Sequence, residues 1–595
     1  MKLLLILALL ADQARALPTP RRIPEILAEI KQRRHRTETV ELQASPEEYD
    51  DVQTLFLDQR LDHFSKSDDP KASMTFRQRY FYTGRYVHDE TEGQTTRQTA
   101  AFLCVGGEGP SLKPSVLVDS VHCTGDMIGL AAKLFNEHNW DIHMFALEHR
   151  YYGESVPSSV VLASNVGAST PDDNTTGYDY DNDLMNGDFT YLSSRQAIHD
   201  VIEFVQSPEV SKHMSSLSST NINVQWITFG GSYPGMLSAW SRLLFPDIIH
   251  GAVANSAPVQ AELDFREYYD RVALDLADEA VGGSEECRRI FVEGHAQIVA
   301  ALEGGPFPKH EDVGDDPVEY VATLFNICDG AEALLESRRN IEVLIGDGIL
   351  RVPAQENDPS CEKELCNIQK LCDAITGERQ AEPNKSSMEI LAKINGIELG
   401  NECSNVDWTL YVDYFSTPTP ENANDRSWMY QTCTEFGFYQ TCQIDSQCPY
   451  GKGYHDVDRD LELCQKVFGI DPADVATSVQ STLEYYGGWE LTPSAEAMDN
   501  ANSSSGPRLV SDQGEQRILF ANGDVDPWTE LAVSGARGAT NQLTVTVPGA
   551  SHHFWTHKVQ DTDGAAIEAA RKGIYNTVSS WLGVGATYPL YTAME

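Results

Sequence analysis

The chain has 595 residues, enough for about two to four domains or for one large domain carrying an insertion. Hydrophobic residues make up 41% and charged residues 22%, which excludes a collagen-like, a largely disordered and a multi-span membrane chain. The 44 Lys+Arg against 89 Asp+Glu leave a net charge of −45, which argues against nucleic acid and against an anionic membrane surface as partners.

The charge is uneven. Residues 1–36 hold 8 Lys/Arg and 3 acids, a local +5, so the remainder carries −50. Carboxylates that repel at neutral pH are relieved by protonation in mild acid. The balance therefore reads either as a solvated acidic surface or as a protein of an acidic lumen or medium.

The first residues read as a secretory signal. Lys2 is the charged start, residues 3–10 are the apolar stretch, and Ala14-Arg15-Ala16 fits small-x-small cleavage, so 1–16 should be removed. No other segment has 18 uninterrupted apolar residues, so no membrane span is expected. Residues 17–55 begin with a basic stretch (Arg21, Arg22, Lys31, Arg33, Arg34, Arg36) and read as an arm or a removable pro-segment.

From about residue 99 to 258, short apolar runs alternate with helical patterns. Residues 101–105, 142–147, 224–229 and 251–254 read as buried strands, with 172–188 as an acidic surface loop. The pattern returns at 517–521 and 543–547, followed by a helix near 565–582. Buried strands alternating with helices imply a parallel α/β sheet. Between about 265 and 495 the periodicity is helical, at 267–280, 286–302 and 317–335.

Ten of the 12 cysteines fall between Cys287 and Cys464; Cys104 and Cys123 lie outside. An even count behind a secretory signal implies disulfides. The rival, a metal site at Cys361, Cys366 and Cys372, lacks a CxxC pair and an interleaved His. Sequons at Asn174, Asn384 and Asn502 read as glycosylated surface loops.

The strongest local signal is the strand that runs into Gly230-Gly231-Ser232-Tyr233-Pro234-Gly235, with a helix beginning at once. This is a nucleophile elbow: small residues allow a sharp turn that lifts Ser232 Oγ above the sheet edge, beside a helix N-terminus that can hold a developing anion. Pro234 stands where the strict G-x-S-x-G pattern has glycine, and a proline suits the first helical turn. The bland rival is a glycine-rich strand-to-helix turn. Later, one strand ends in Asn522-Gly523-Asp524-Val525-Asp526-Pro527-Trp528 and the next in Pro548-Gly549-Ala550-Ser551-His552-His553. Serine, acid and histidine in that order are the arrangement of the α/β-hydrolase fold. Ser232 is then the nucleophile, His552 the general base and acid, and Asp526 the group that fixes its tautomer. Tyr233, just after the serine, should supply one oxyanion N–H. The other should come from the loop Cys104-Val105-Gly106-Gly107-Glu108-Gly109-Pro110, at Gly107. A phosphate loop fails there because no Lys-Ser/Thr follows the glycines. Glu108 reads either as a partner for a substrate cation or as a brace for the loop.

These motifs resemble the S28 family of serine peptidases, which holds prolyl carboxypeptidases, dipeptidyl peptidases and thymus-specific serine proteases. The resemblance also rests on Leu61-Asp62-His63-Phe64, Thr75-Phe76-Arg77-Gln78-Arg79-Tyr80-Phe81, Glu148-His149-Arg150-Tyr151-Tyr152-Gly153-Glu154-Ser155, Tyr191-Leu192-Ser193-Ser194-Arg195-Gln196-Ala197, Asn255-Ser256-Ala257-Pro258-Val259 and Tyr430-Gln431-Thr432-Cys433-Thr434-Glu435. The Ser-Tyr-Pro-Gly and Gly-Gly-Glu-Gly forms resemble the thymus-specific branch most. The resemblance implies an α/β-hydrolase core split by a mainly helical, disulfide-containing insertion. It carries Ser232, Asp526 and His552 over as the triad, suggests Met236 and Trp528 as the lining of an apolar pocket for a proline-like side chain, and suggests Cys403 and Cys433 as disulfide partners. Phe554-Trp555 stands where relatives commonly have Leu-Asp, so Trp555 is expected to reshape the pocket.

The organisation expected is a signal peptide (1–16), an arm (17–55), a first segment of the hydrolase core (56–265), a helical insertion roofing the site (266–495) and a second segment of the core (496–595). The function expected is a serine exopeptidase acting through an acyl-enzyme, with the family's preference for cleavage after proline, of carboxypeptidase or dipeptidyl-peptidase type. The alternatives are an esterase or lipase of the same fold, or a catalytically silent binding protein. No cofactor or metal is expected. The partners are peptides, and the family adds homodimerisation. The location is extracellular or lysosomal/vacuolar.

Overall fold

The computed structural model describes residues 49–66, 69–88, 97–157, 188–214, 224–305, 307, 315–346, 349–505, 517–538 and 542–585. The signal, the basic stretch 18–36, nearly all of the acidic loop and Asn174 lie outside these residues, as does the side chain of Asn502.

Among the described residues ten strands are formed: β1 (Gln53–Arg60), β2 (Thr75–Tyr86), β3 (Thr99–Val105), β4 (Asp141–Leu147), β5 (Gln225–Gly231), β6 (Ile249–Asn255), β7 (Glu262–Asp264), β8 (Gly437–Tyr439), β9 (Ile518–Gly523) and β10 (Leu543–Val547). Eight of them make one sheet in the order β1-β2-β4-β3-β5-β6-β9-β10; β7 and β8 pair separately. From β4 to β10 the neighbours are parallel, while β1 and β2 add an antiparallel edge.

The inner strands of the sheet are covered on both faces, which is why they are mostly apolar. In β3 every residue is buried: Ala101, Leu103 and Val105 join one core, and Ala100, Phe102 and Cys104 the other. Four helices cover it. Helices α1 (Gly129–His138) and α4 (Ala565–Trp581) pack on one face; α2 (Ser194–Gln206) and α3 (Tyr233–Leu244) pack on the other. The chain leaves the sheet after β6 and re-enters at β9, directly beside β6, with mainly helical structure between. The fold is thus an α/β-hydrolase core split by a mainly helical, disulfide-containing insertion. No helix of the described residues is long and apolar enough to cross a membrane.

The antiparallel edge is fastened by charge. Arg150, fully buried, donates from Nε and Nη2 to both oxygens of Asp200 at 2.6 Å, and its remaining donors reach the carbonyls of Arg60, Leu61 and Tyr191. A planar fork that satisfies a carboxylate and three carbonyls at once offsets the cost of burying the charges.

Two expectations change. The helix expected over 317–335 is two helices, Pro317–Leu324 and Gly330–Glu336. Asn326 and Asp329 between them take positive φ, where Ile327 bridges Ser404 and Cys328 bonds Cys403. Cys403 and Cys433 are therefore not partners. Cys433 pairs with Cys464, whose helix Val457–Phe468 lies against the turn that holds Cys433. The other bridges are Cys104–Cys123, Cys287–Cys372, Cys361–Cys366 and Cys442–Cys448.

Asp126 sits in the turn before α1, fully buried, accepting from its neighbour Met127 N and from Asn255 Nδ2. Burial pushes its carboxyl up from 3.8 to about 6. Between those values the folded chain binds the extra proton, so this group favours folding in acid and costs stability as pH rises through 6. Asp126→Asn removes the cost. Measured by denaturant unfolding, the variant should gain about 2 kcal/mol relative to wild type between pH 4 and pH 7; a gain that does not vary with pH would contradict this origin.

Candidate active site

Strand β5 ends in two glycines that the site cannot replace. A Cβ on Gly230 would lie 2.3 Å from the Pro234 carbonyl oxygen, and one on Gly231 2.9 Å from the His553 ring. The chain then turns through Ser232 at φ 61° and ψ −132°, and α3 begins at Tyr233 with Pro234 in its first turn. A non-glycine residue at such a φ costs about 1–3 kcal/mol and persists where its surroundings over-determine it. Here Ser232 N donates to Asn255 O (2.8 Å) and Met236 N donates to Ser232 O (3.1 Å). Tyr151, Ser256 and His553 are also at positive φ. Ser256 Oγ accepts from His553 N at 2.9 Å, which links two of these strained residues.

Asp526 follows β9 and His552 follows β10, at the sheet edge where β5 ends. His552 Nδ1 meets Asp526 Oδ2 at 2.8 Å, and Asp526 is fully buried, also accepting from Trp528 N. The other nearby acid, Asp524, instead accepts from Gly549 N and holds the turn after β10. His552 Nε2 is buried and has no hydrogen-bond partner. Both His552 and Ser232 border one cavity of about 480 Å³. The neighbouring His553 is buried, and burial holds it well below the usual histidine range, as a neutral ring against Gly231.

Behind the serine, the loop after β3 lies on the elbow itself. A Cβ on Gly107 would come 2.4 Å from Pro234 Cγ. Gly106 N is committed to Leu147 O (2.9 Å). The N–H of Tyr233, first in its helix, has no acceptor within that helix. Its phenol is anchored in a buried network. His149 Nδ1 lies 2.6 Å from Arg150 O and must donate, so Nε2 accepts from Tyr233 OH at 2.9 Å. Tyr233 OH in turn accepts from Gln431 Nε2 (3.0 Å), and Gln431 Oε1 accepts from Tyr152 OH (2.7 Å). Burial lowers His149 to about 4, which agrees with the neutral tautomer this chain of bonds requires.

The cavity runs from Ser232 into the insertion. Trp528 lines it, in an aromatic wall with Phe265, Tyr268 and Phe438 whose ring centres lie 5.4–5.6 Å from its own. The His552 ring is 6.2 Å away. Glu108 borders the same cavity. Met236 does not: it is fully buried in the core under α3, because one helical turn beyond Ser232 the side chain faces the sheet. Trp555 does not reach the cavity either. It is fully buried in the opposite core, and its indole N–H donates to Asn255 Oδ1 at 2.7 Å, beneath the elbow. Asn384 is exposed, as its sequon requires.

One residue gave no sign in the sequence. Gln355 lies in an irregular stretch of the insertion. Its carbonyl accepts from His552 N (3.2 Å), and its Oε1 accepts from Trp528 Nε1 (2.9 Å) and Tyr268 OH (3.0 Å). Two residues on, Asn357 O accepts from Ser551 Oγ (3.0 Å). This strap of the insertion holds the histidine loop and the aromatic wall together.

Fold and chain order define an α/β-hydrolase. The chain matches the family Serine carboxypeptidase S28 over residues 59–168, 180–502 and 498–574, and it belongs to that family. It is 31% identical to the thymus-specific serine protease of Mus musculus, over 89% of this chain and 87% of that one, and 30% identical to the Homo sapiens protein of that name, over 89% and 86%. It is 23% identical to the lysosomal Pro-X carboxypeptidase of Mus musculus, over 84% of this chain and 82% of that one. The protein is a serine-type peptidase, a hydrolase.

Gln355→Leu keeps the size of the side chain but removes the acceptor that Trp528 Nε1 and Tyr268 OH share, a cost of about 1–3 kcal/mol. Peptide kcat/KM should fall about tenfold or more, while Gln355→Glu, which keeps an acceptor, should hold near wild type. Equal activity in the two variants would show that the acceptor does not position the wall.

Proposed function

We propose that the chain is an exopeptidase that hydrolyses peptides through an acyl-enzyme on Ser232 and prefers to cleave after proline. The observation that carries the reading is His552: Nδ1 is held by buried Asp526, while Nε2 is left without a partner beside the cavity that Ser232 borders. In this mechanism His552 takes the Ser232 proton as Oγ attacks the carbonyl, then gives it to the leaving amine. Asp526 keeps the imidazole in the tautomer whose Nε2 is a base. The N–H groups of Tyr233 and Gly107 receive the oxyanion; the closeness of Gly107 to Pro234 supports that pairing. Water then repeats the sequence on the acyl-enzyme.

The preference for proline is supported by the aromatic wall around Trp528, which suits a flat apolar ring, and by the name of the Pro-X carboxypeptidase relative. Six disulfides, the N-terminal signal and the acidic balance favour the secretory pathway, ending outside the cell or in a lysosome or vacuole.

Ser232→Ala should abolish labelling by a fluorophosphonate probe and lower turnover of an Xaa-Pro-Xaa peptide by about a millionfold. Persistent labelling of the folded variant would overturn the assignment of the nucleophile. Turnover of simple esters without any turnover of peptides would replace the peptidase reading by an esterase one.

A further inference from the structure

The charges around the cavity are unequal. Five carboxylates border it, Glu108, Glu398, Asp407, Asp425 and Asp460, against two guanidinium groups, Arg351 and Arg459. Arg459 turns Nη2 to the His455 ring at 2.6 Å. Arg351 is different. Its Nη2 donates to Glu356 Oε1 at 2.8 Å, but Nη1 is buried and has no hydrogen-bond partner. A guanidinium carries five donors in a fixed fork, and a buried donor left without an acceptor costs free energy that a ligand can recover. In a cavity whose other charged groups mostly repel anions, this is the place where negative charge is welcome.

Its position relates it to the proposed chemistry. Arg351 begins the strap that holds the histidine loop, four residues before Gln355, so their Cα atoms are at most about 14 Å apart. Gln355 itself contacts His552, Trp528 and Tyr268. Tyr268, Tyr269 and Tyr450 are electrostatic neighbours of Arg351 and border the same cavity, and Tyr450 OH accepts from Val352 N at 3.0 Å. Arg351 and Ser232 border the same cavity, so one bound peptide can face both.

We propose that Arg351 is a specificity-determining residue that receives a carboxylate of the peptide substrate on its Nη1 edge, with Glu356 holding the other edge and orienting the fork. The proposal rests on the serine-peptidase reading of the same cavity. The carboxylate has two sources, the C-terminus of the peptide or an Asp/Glu side chain close to the scissile bond. A receptor for the terminus would give the site carboxypeptidase polarity. Glu356 limits the affinity, since it already neutralises some of the charge, and its removal should strengthen binding.

The test is steady-state hydrolysis of matched peptides by wild type, Arg351→Met, Arg351→Lys and Glu356→Gln. One pair differs as free C-terminal acid against amide; a second pair, both amides, differs as Glu against Gln beside the cleaved bond. Arg351→Met should raise KM about tenfold to a hundredfold for the anionic member of one pair and leave its neutral partner within twofold. Loss confined to the free acid identifies the terminus; loss confined to the Glu peptide identifies the side chain. Arg351→Lys, which keeps charge without the fork, should fall between wild type and Arg351→Met. Glu356→Gln should lower KM for the same anionic peptide, and it carries the test if Arg351→Met does not fold. Equal losses on anionic and neutral peptides, or no loss, would overturn the proposal. Fluorophosphonate labelling of the wild type at Ser232 keeps that failure separate from a failure of the serine-peptidase reading.

Discussion

The structure depends on the crowding around Ser232. A strand, a reversed φ and a helix are compressed into four residues, and every surface pressed against them is shaped to fit. Gly107 can only approach because it has no side chain to meet Pro234, and Gly231 because it has none to meet the His553 ring. The backbone of Asn255, one strand over, takes the serine N–H, and its side chain takes the indole of Trp555 and gives to Asp126. The elbow is therefore clamped from both cores, which is how a single unfavourable torsion can persist.

The insertion is more than a roof. Through Gln355 and Asn357 it holds the loop that carries His552, and through Gln431 it holds the phenol of Tyr233. The proposed base and the residue after the proposed nucleophile are thus both steadied by groups that lie outside the sheet. Arg150 and Asp200 play the matching role on the other side, tying the antiparallel edge to α2 by a buried fork. Removing the insertion would leave Ser232, Asp526 and His552 in sequence order but without Gln355 and Asn357, which hold the backbone of the His552 loop.

Much of this was legible in the residues. Six parallel strands were readable as short, largely apolar runs, most of them buried on both faces, as in β3 and β9. The antiparallel pair β1 and β2 was not read as strands, since β1 is half exposed and mixes charged with apolar residues. The elbow and the two loops after β9 and β10 stood out because turn chemistry and chain order are local. What depended on side-chain direction or distant contact was hidden. Met236 turns inward by helix phase, Trp555 packs under the elbow, and the partners of Cys403 and Cys433 are set by three-dimensional approach that spacing cannot convey. Gln355 is a lone polar residue in irregular chain, and only its neighbours in space make it matter.

The split of the sheet has a consequence for biosynthesis. A ribosome delivers Ser232 and six of the eight strands of the sheet first, then the insertion, and only afterwards β9, β10 and the loops bearing Asp526 and His552. Parallel pairing of β9 against β6 must wait across that whole interval, and such long-range closure is slow. The loop with His552 then docks on a strap that was synthesised before it. On the proposed mechanism, a nascent chain that stops before β9 therefore holds a serine with no base to activate it, and hydrolytic competence arrives with the stretch that carries β9 and β10.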